Sequence, residues 1–116
     1  MRILVVDDDD SIREFVAMAL EDEGYQVVTA SQGAQALQVA AATPPDLILL
    51  DMRMPVMDGW EFARIYRQQS CPHAPIIILS AARNGAAITA EIGAVDYLAK
   101  PFELAQLLAL VKSHCP

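Results

Sequence analysis

At 116 residues the chain fits one domain, large enough to bury a core without disulfide or metal staples. With 54% hydrophobic and 20% charged residues, its composition excludes a disordered chain. Eight basic against fifteen acidic residues give a net charge of −7, and with no basic face to neutralise phosphates this domain is not expected to bind nucleic acid.

The apolar runs are strand-sized, well short of the roughly 18 residues of a membrane span, so no membrane contact is expected. Met1-Arg2-Ile3-Leu4-Val5-Val6 runs into aspartates without a cleavage site, unlike a secretory signal, and the expected location is the cytoplasm. Cys71 and Cys115 lack metal-ligand spacing and read as free thiols of a reducing compartment. No repeat, low-complexity tract or linker divides residues 1–116, which read as a single domain.

In chain order, Arg2 to Val6 predicts a buried strand that ends in Asp7-Asp8-Asp9-Asp10. Ser11 and Glu14 have capping-box spacing, and Ile12, Phe15, Val16, Ala19 and Leu20 follow at helical intervals as far as Gly24. Val27 to Ala30 predicts a second strand, and Ala34 to about Ala42 an Ala-rich helix closed by Pro44-Pro45. Next, Leu47-Ile48-Leu49-Leu50-Asp51, with prolines before it and Pro55 and Gly59 after, predicts a strand buried on both faces with a carboxylate at its end.

A helix from about Trp60 to Gln69 follows, then the strand Ile76 to Leu79 ending at Ser80. Ala86 to about Ile92 is a short helix stopped by Gly93, and Val95 to Ala99 a fifth strand ending at Lys100. The last helix has Leu104, Leu107, Leu108 and Val111 on its apolar face. This alternation predicts an α/β fold, a parallel sheet with helices on both faces.

In such a sheet every strand's carboxyl end lies along one edge, where ligands collect. Asp7, Asp8, Asp51, Ser80 and Lys100 would converge there from four strands. Singly, each has a plainer role: Asp7 to Asp10 as helix caps, which is all that is expected of Asp9 and Asp10, Asp51 and Ser80 as turn residues, Lys100 as a solvated charge. Joint placement at four strand ends favours a site. Three neighbouring carboxylates raise one another's pKa unless a cation neutralises them, and Mg²⁺, which takes one or two carboxylates and keeps several waters, suits the group.

Along its whole length the chain resembles the receiver domain of two-component response regulators. The resemblance is carried by Ile3 to Asp9, Pro45 to Asp51 with Met54-Pro55-Val56-Met57-Asp58-Gly59, Ser80-Ala81, Gly93-Ala94, and Asp96-Tyr97-Leu98-Ala99-Lys100-Pro101-Phe102. It implies a (βα)5 flavodoxin-like doubly wound sheet with strand order 2-1-3-4-5.

It also implies that Asp51 accepts a phosphoryl group from a histidine kinase, a histidine phosphotransfer protein or a small phosphodonor. Asp8, Asp51, the main-chain carbonyl of Arg53 and, through water, Asp7 would hold Mg²⁺ or Mn²⁺, while Lys100 and Ser80 meet phosphoryl oxygens. The Lys100–Pro101 bond would be cis, aiming the ammonium at the site. In the implied switch the Ser80 hydroxyl moves inward and Tyr97 follows, changing the face made by the fourth helix, fifth strand and last helix for an unknown output partner. On sequence grounds alone Tyr97 reads equally well as half-buried packing. The chain is thus expected to be a regulatory phosphoacceptor and not an enzyme, with only self-phosphorylation and slow autodephosphorylation of its own.

Several positions depart from the family pattern. The segment from Ser80 to Gly93 is shorter than usual by roughly half a helical turn, predicting a short fourth helix or a tight connection into it. Arg83 and Glu91 are its only charges, Val95 replaces a common acid, and Lys112 is the only lysine or arginine of the last helix. The salt-bridged dimer of winged-helix members is therefore not expected, and a monomer or weak dimer is. Ala81 leaves the site accessible. Arg53 and Ala82 supply no carboxylate or carboxamide to orient water, which predicts slow loss of the phosphoryl group.

Three rival readings fare worse. An aspartyl-phosphate hydrolase would want an acid where Arg53 stands, and a flavin or nucleotide module would not set Asp7 to Asp10 where phosphate binds. A degenerate receiver, an interaction module independent of phosphorylation, would not be expected to keep Asp7, Asp8, Asp51, Ser80 and Lys100 together. With Ser113-His114-Cys115-Pro116 following the last helix and no effector domain, the chain reads as a single-domain regulator or a piece of a longer protein.

Overall fold

A computed structural model describes residues 1–69, 72–81 and 84–114; Cys71, Ala82, Arg83 and Cys115, named above, lie outside the described residues. In order the elements are β1 (Arg2–Val6), α1 (Asp10–Asp22), β2 (Gln26–Ala30), α2 (Gly33–Ala42), β3 (Leu47–Asp51), α3 (Gly59–Gln68), β4 (Ile76–Ser80), α4 (Gly85–Ile92), β5 (Asp96–Ala99) and α5 (Leu104–His114). All four strand pairings are parallel, and the sheet runs β2-β1-β3-β4-β5. This is the flavodoxin-like order that the family resemblance implied.

Side chains alternate across a strand, so each aliphatic run supplies two cores. Leu4, Val6, Ile48, Leu50 and Ile78 meet Phe62, Tyr66 and Ile88 of α3 and α4, with Ala36 and Ala40 of α2. Ile3, Val5, Leu47, Leu49 and Leu79 meet Val16 and Leu20 of α1 and Leu107 and Val111 of α5. Coverage on both faces explains why β3 and β4 carry no polar residue until their last position.

The ends of the helices refine the sequence reading. The cap of α1 is Asp9, one of the two acids expected to cap it, whose carboxylate accepts the Ile12 N–H at 3.1 Å; Ser11 lies inside the first turn, so the expected Ser11–Glu14 capping box does not form the cap. Gly24 ends the helix at φ +90° as expected. At eight residues α4 is the shortest helix, consistent with the shortened segment. It closes at Gly93, φ +70°, whose carbonyl accepts from the Arg67 guanidinium at 2.9 Å, tying α3 to the end of α4. Strand β5 begins at Asp96, not Val95, although the Val95 N–H still donates to Ile76 at 2.9 Å.

The connection from β3 to α3 is held by methionines. Met52 and Met54 are buried, and Met57 packs so closely on Gly33 that a Cβ there would force the Met57 side chain to shift. At its apex Val56 has φ +69°, a conformation that costs an L-residue roughly 1–2 kcal/mol, and its side chain is fully exposed, so no burial offsets the strain. Val56→Asn, which tolerates this region, should raise stability by about 0.5–1 kcal/mol in urea denaturation; a loss of stability would contradict the strain.

Candidate functional site

The parallel register builds the site. Val6 lies beside Leu50, so the next residues, Asp7 and Asp51, emerge as neighbours on one face of the sheet at its carboxyl edge. Ser80 ends β4 opposite Ala99, and the Lys100 N–H donates to the Ser80 carbonyl at 2.7 Å, which brings Lys100 to the same edge. The Lys100–Pro101 bond is cis. Among the described residues the buried polar or charged side chains are Asp7, Asp51 and Ser80, all at this edge. Buried polarity is thus concentrated where the sequence reading put the site.

The three aspartates are not equivalent. Asp7 is wholly buried, with Oδ1 accepting the Asp9 N–H at 2.9 Å and Oδ2 accepting from Lys100 Nζ at 2.9 Å. Asp51 is 6% exposed and has Oδ1 at 3.3 Å from Lys100 Nζ. Asp8 is exposed, yet it offers a carboxylate oxygen that lies within 4.8 Å of one from Asp7 and one from Asp51. Arg53 is exposed in the loop just after Asp51.

Arg13 was not foreseen as part of this edge. Its guanidinium donates to the Asp7 carbonyl at 2.8 Å and pairs with the Asp10 carboxylate, bracing the acidic loop from behind. Its i,i+3 spacing from Asp10 was the one available signal. Tyr97 stands apart from the carboxylates: it pairs with Ile78, shares the sheet face of Ser80, is 40% exposed, and lays its ring over Gly85 at the start of α4.

The electrostatics follow from crowding. Burial, then repulsion by Asp7, pushes the Asp51 carboxyl up to about 6, with the Lys100 ammonium opposing and a hydrogen bond that the protonated carboxyl donates to Asp8 adding to the rise. For Lys100, burial acts to lower the pKa, but the hydrogen bond to Asp7 and the charge of Asp51 leave it above its usual value. Three ionised carboxylates against one ammonium leave an excess of negative charge, and the oxygens within 4.8 Å of one another are the donor set a hard divalent cation takes. The residues fit Mg²⁺.

A carboxyl whose folded pKa is raised stabilises the fold below its ordinary pKa of 3.8 and loses that contribution as pH rises through about 6. In EDTA, Asp51→Asn should therefore be more stable than wild type at pH 7.5 by about 1–3 kcal/mol, and near-equal to it below pH 4, by urea denaturation. Destabilisation at pH 7.5 would contradict the crowding.

Residues 3–112 match the family model described as the response regulator receiver domain. The chain is 42% identical over 114 residues to the alkaline phosphatase synthesis transcriptional regulatory protein PhoP of Bacillus subtilis, covering 97% of this chain and 47% of PhoP. It is 41% identical over 115 residues to the response regulator MprA of Mycobacterium leprae, covering 97% of this chain and 50% of MprA. It thus spans about half the length of the curated relatives it matches. Among solved structures, the chemotaxis response regulator CheY4 of Vibrio cholerae matches with a TM-score of 0.89 at 37% identity, over 97% of both chains. Family, fold and acidic edge agree: the chain belongs to the response regulator receiver domain family, the phosphoacceptor modules of two-component signalling.

Proposed function

We propose that Asp51 is the acceptor of the phosphoryl group. The observation that carries this choice among the clustered carboxylates is the inequality of Asp7 and Asp51. Both oxygens of Asp7 are committed to partners inside the protein, whereas Asp51 retains exposure and sits under the Lys100 ammonium. An oxygen of Asp51 forms the new P–O bond as the donor's P–N bond breaks. The electron pair leaves on the donor imidazole, which takes up a proton. Lys100 meets one phosphoryl oxygen and Ser80 another, so the charge that builds on the group is neutralised by residues already in place.

Asp8, Asp51, the main-chain carbonyl of Arg53 and, through water, Asp7 would hold Mg²⁺ or Mn²⁺, which supplies charge neutralisation at the phosphoryl oxygens. The donor would be a histidine kinase or histidine phosphotransfer protein. An apolar groove beside Lys100, lined by Ile12, Phe15, Ala81, Pro101 and Phe102, gives such a partner a surface next to the acceptor. Small phosphodonors would also serve. The signal leaves through Ser80 and Tyr97 to the face of α4, β5 and α5, where Val95, Tyr97 and Leu104 are exposed and an unidentified output partner would bind. We place this module in the cytoplasm as a monomer or weak dimer. No described helix is long and apolar enough to cross a membrane.

Incubation with acetyl phosphate and Mg²⁺ should add the mass of one phosphoryl group to the wild type and none to Asp51→Asn. Wild type that gains nothing would defeat the proposal. After removal of the donor the added mass should persist for minutes or longer, because Arg53 offers no group to orient water; its loss within seconds would contradict slow autodephosphorylation.

A further inference from the structure

We infer that Gly85 is the seat that fixes the resting position of the Tyr97 ring and thereby sets how readily the domain switches; this rests on the phosphoacceptor reading above. Gly85 opens α4, where its backbone shows no positive φ, so nothing in the chain's own conformation demands glycine there. The demand comes from space. A Cβ at position 85 would lie under 3.0 Å from Cδ2, Cε2 and Cγ of Tyr97, closer than real Cβ atoms approach, and because Cγ is the root of the ring the whole ring would have to move.

Tyr97 belongs to β5, an edge strand, and is 40% exposed, and Gly85 is a close neighbour of its ring on the helical side. Ser80 lies on the same sheet face, two residues along β4 from Ile78, the residue that pairs with Tyr97. In the switch proposed above the ring leaves Gly85 and moves along this face toward Ser80, so a side chain at position 85 bears on the resting place and not on the destination.

A methyl group at 85 removes the resting pose and leaves the inward one untouched. Any ligand that selects the switched state then binds more tightly, because less free energy is spent on moving the ring. Beryllofluoride with Mg²⁺, which occupies an aspartate as a phosphoryl group does, is the probe. Gly85→Ala should bind it at least about fivefold more tightly than wild type. In the Tyr97→Ala background, where no ring exists to displace, the same substitution should change affinity by less than about twofold.

An unchanged or weakened affinity in Gly85→Ala, or an equal gain in the Tyr97→Ala background, would overturn the seat. The wild type gives a test that needs no variant. Nuclear Overhauser contacts between the Tyr97 ring and the Gly85 α-protons should be present in the free protein and vanish on adding Mg²⁺ and beryllofluoride. Their persistence in the saturated complex would overturn the seat while leaving the acceptor assignment standing, whereas wild type that binds no beryllofluoride would remove the acceptor reading and the seat with it.

Discussion

Two carboxylates brought side by side at the ends of adjacent buried strands are the constraint to which the rest of the molecule responds. Asp7 and Asp51 are neighbours because β1 and β3 are parallel and in the register that sets Val6 beside Leu50. Burial of these strands on both faces means that apolar alternation does not fix this register, since a slip of one residue exchanges one aliphatic for another. The charged ends fix it instead. Sliding β3 by a residue would pull Asp51 into an aliphatic layer, where a carboxylate is far costlier than at the rim.

From that juxtaposition the chemistry divides among three identical side chains. Asp7 is locked by Lys100 and the Asp9 amide, Asp8 faces solvent with an oxygen still inside the cluster, and Asp51 stands between them with a raised pKa. Lys100 bridges two of them but cannot balance all three. A divalent cation is what the remaining charge calls for, and a transferred phosphoryl group is what the cation and the ammonium together would hold. Structural pairing and phosphoryl chemistry therefore draw on the same charges.

The central strands, their buried character and their polar ends were legible because a strand covered on both faces writes itself as an unbroken aliphatic run, and Asp7, Asp51 and Ser80 each close one. Sheet order was not legible from periodicity; it came with the family resemblance, since period alone says which faces are apolar and not which strand lies next to which. For the cap of α1 the sequence offered both the Ser11–Glu14 spacing and the acids Asp9 and Asp10, and only the backbone shows that Asp9 takes the role. The left-handed Val56 and the brace from Arg13 gave little signal in sequence: a valine does not announce a positive φ, and an i,i+3 pair with Asp10 does not reveal the second bond to the Asp7 carbonyl. Gly85, beside a run of alanines, gave no sign in the sequence that the Tyr97 ring packs against it.

The site and the proposed output face thus meet through β4 and β5, with Ser80 ending one strand and Tyr97 lying on the other. Which carboxylate takes the phosphoryl group is the claim on which this linkage stands. Borohydride reduces an acyl phosphate and leaves a homoserine at the modified aspartate. After phosphorylation with acetyl phosphate and Mg²⁺, followed by reduction and peptide mapping, the account predicts homoserine at position 51 alone. Homoserine at Asp7 or Asp8, or at no aspartate of the cluster, would contradict it.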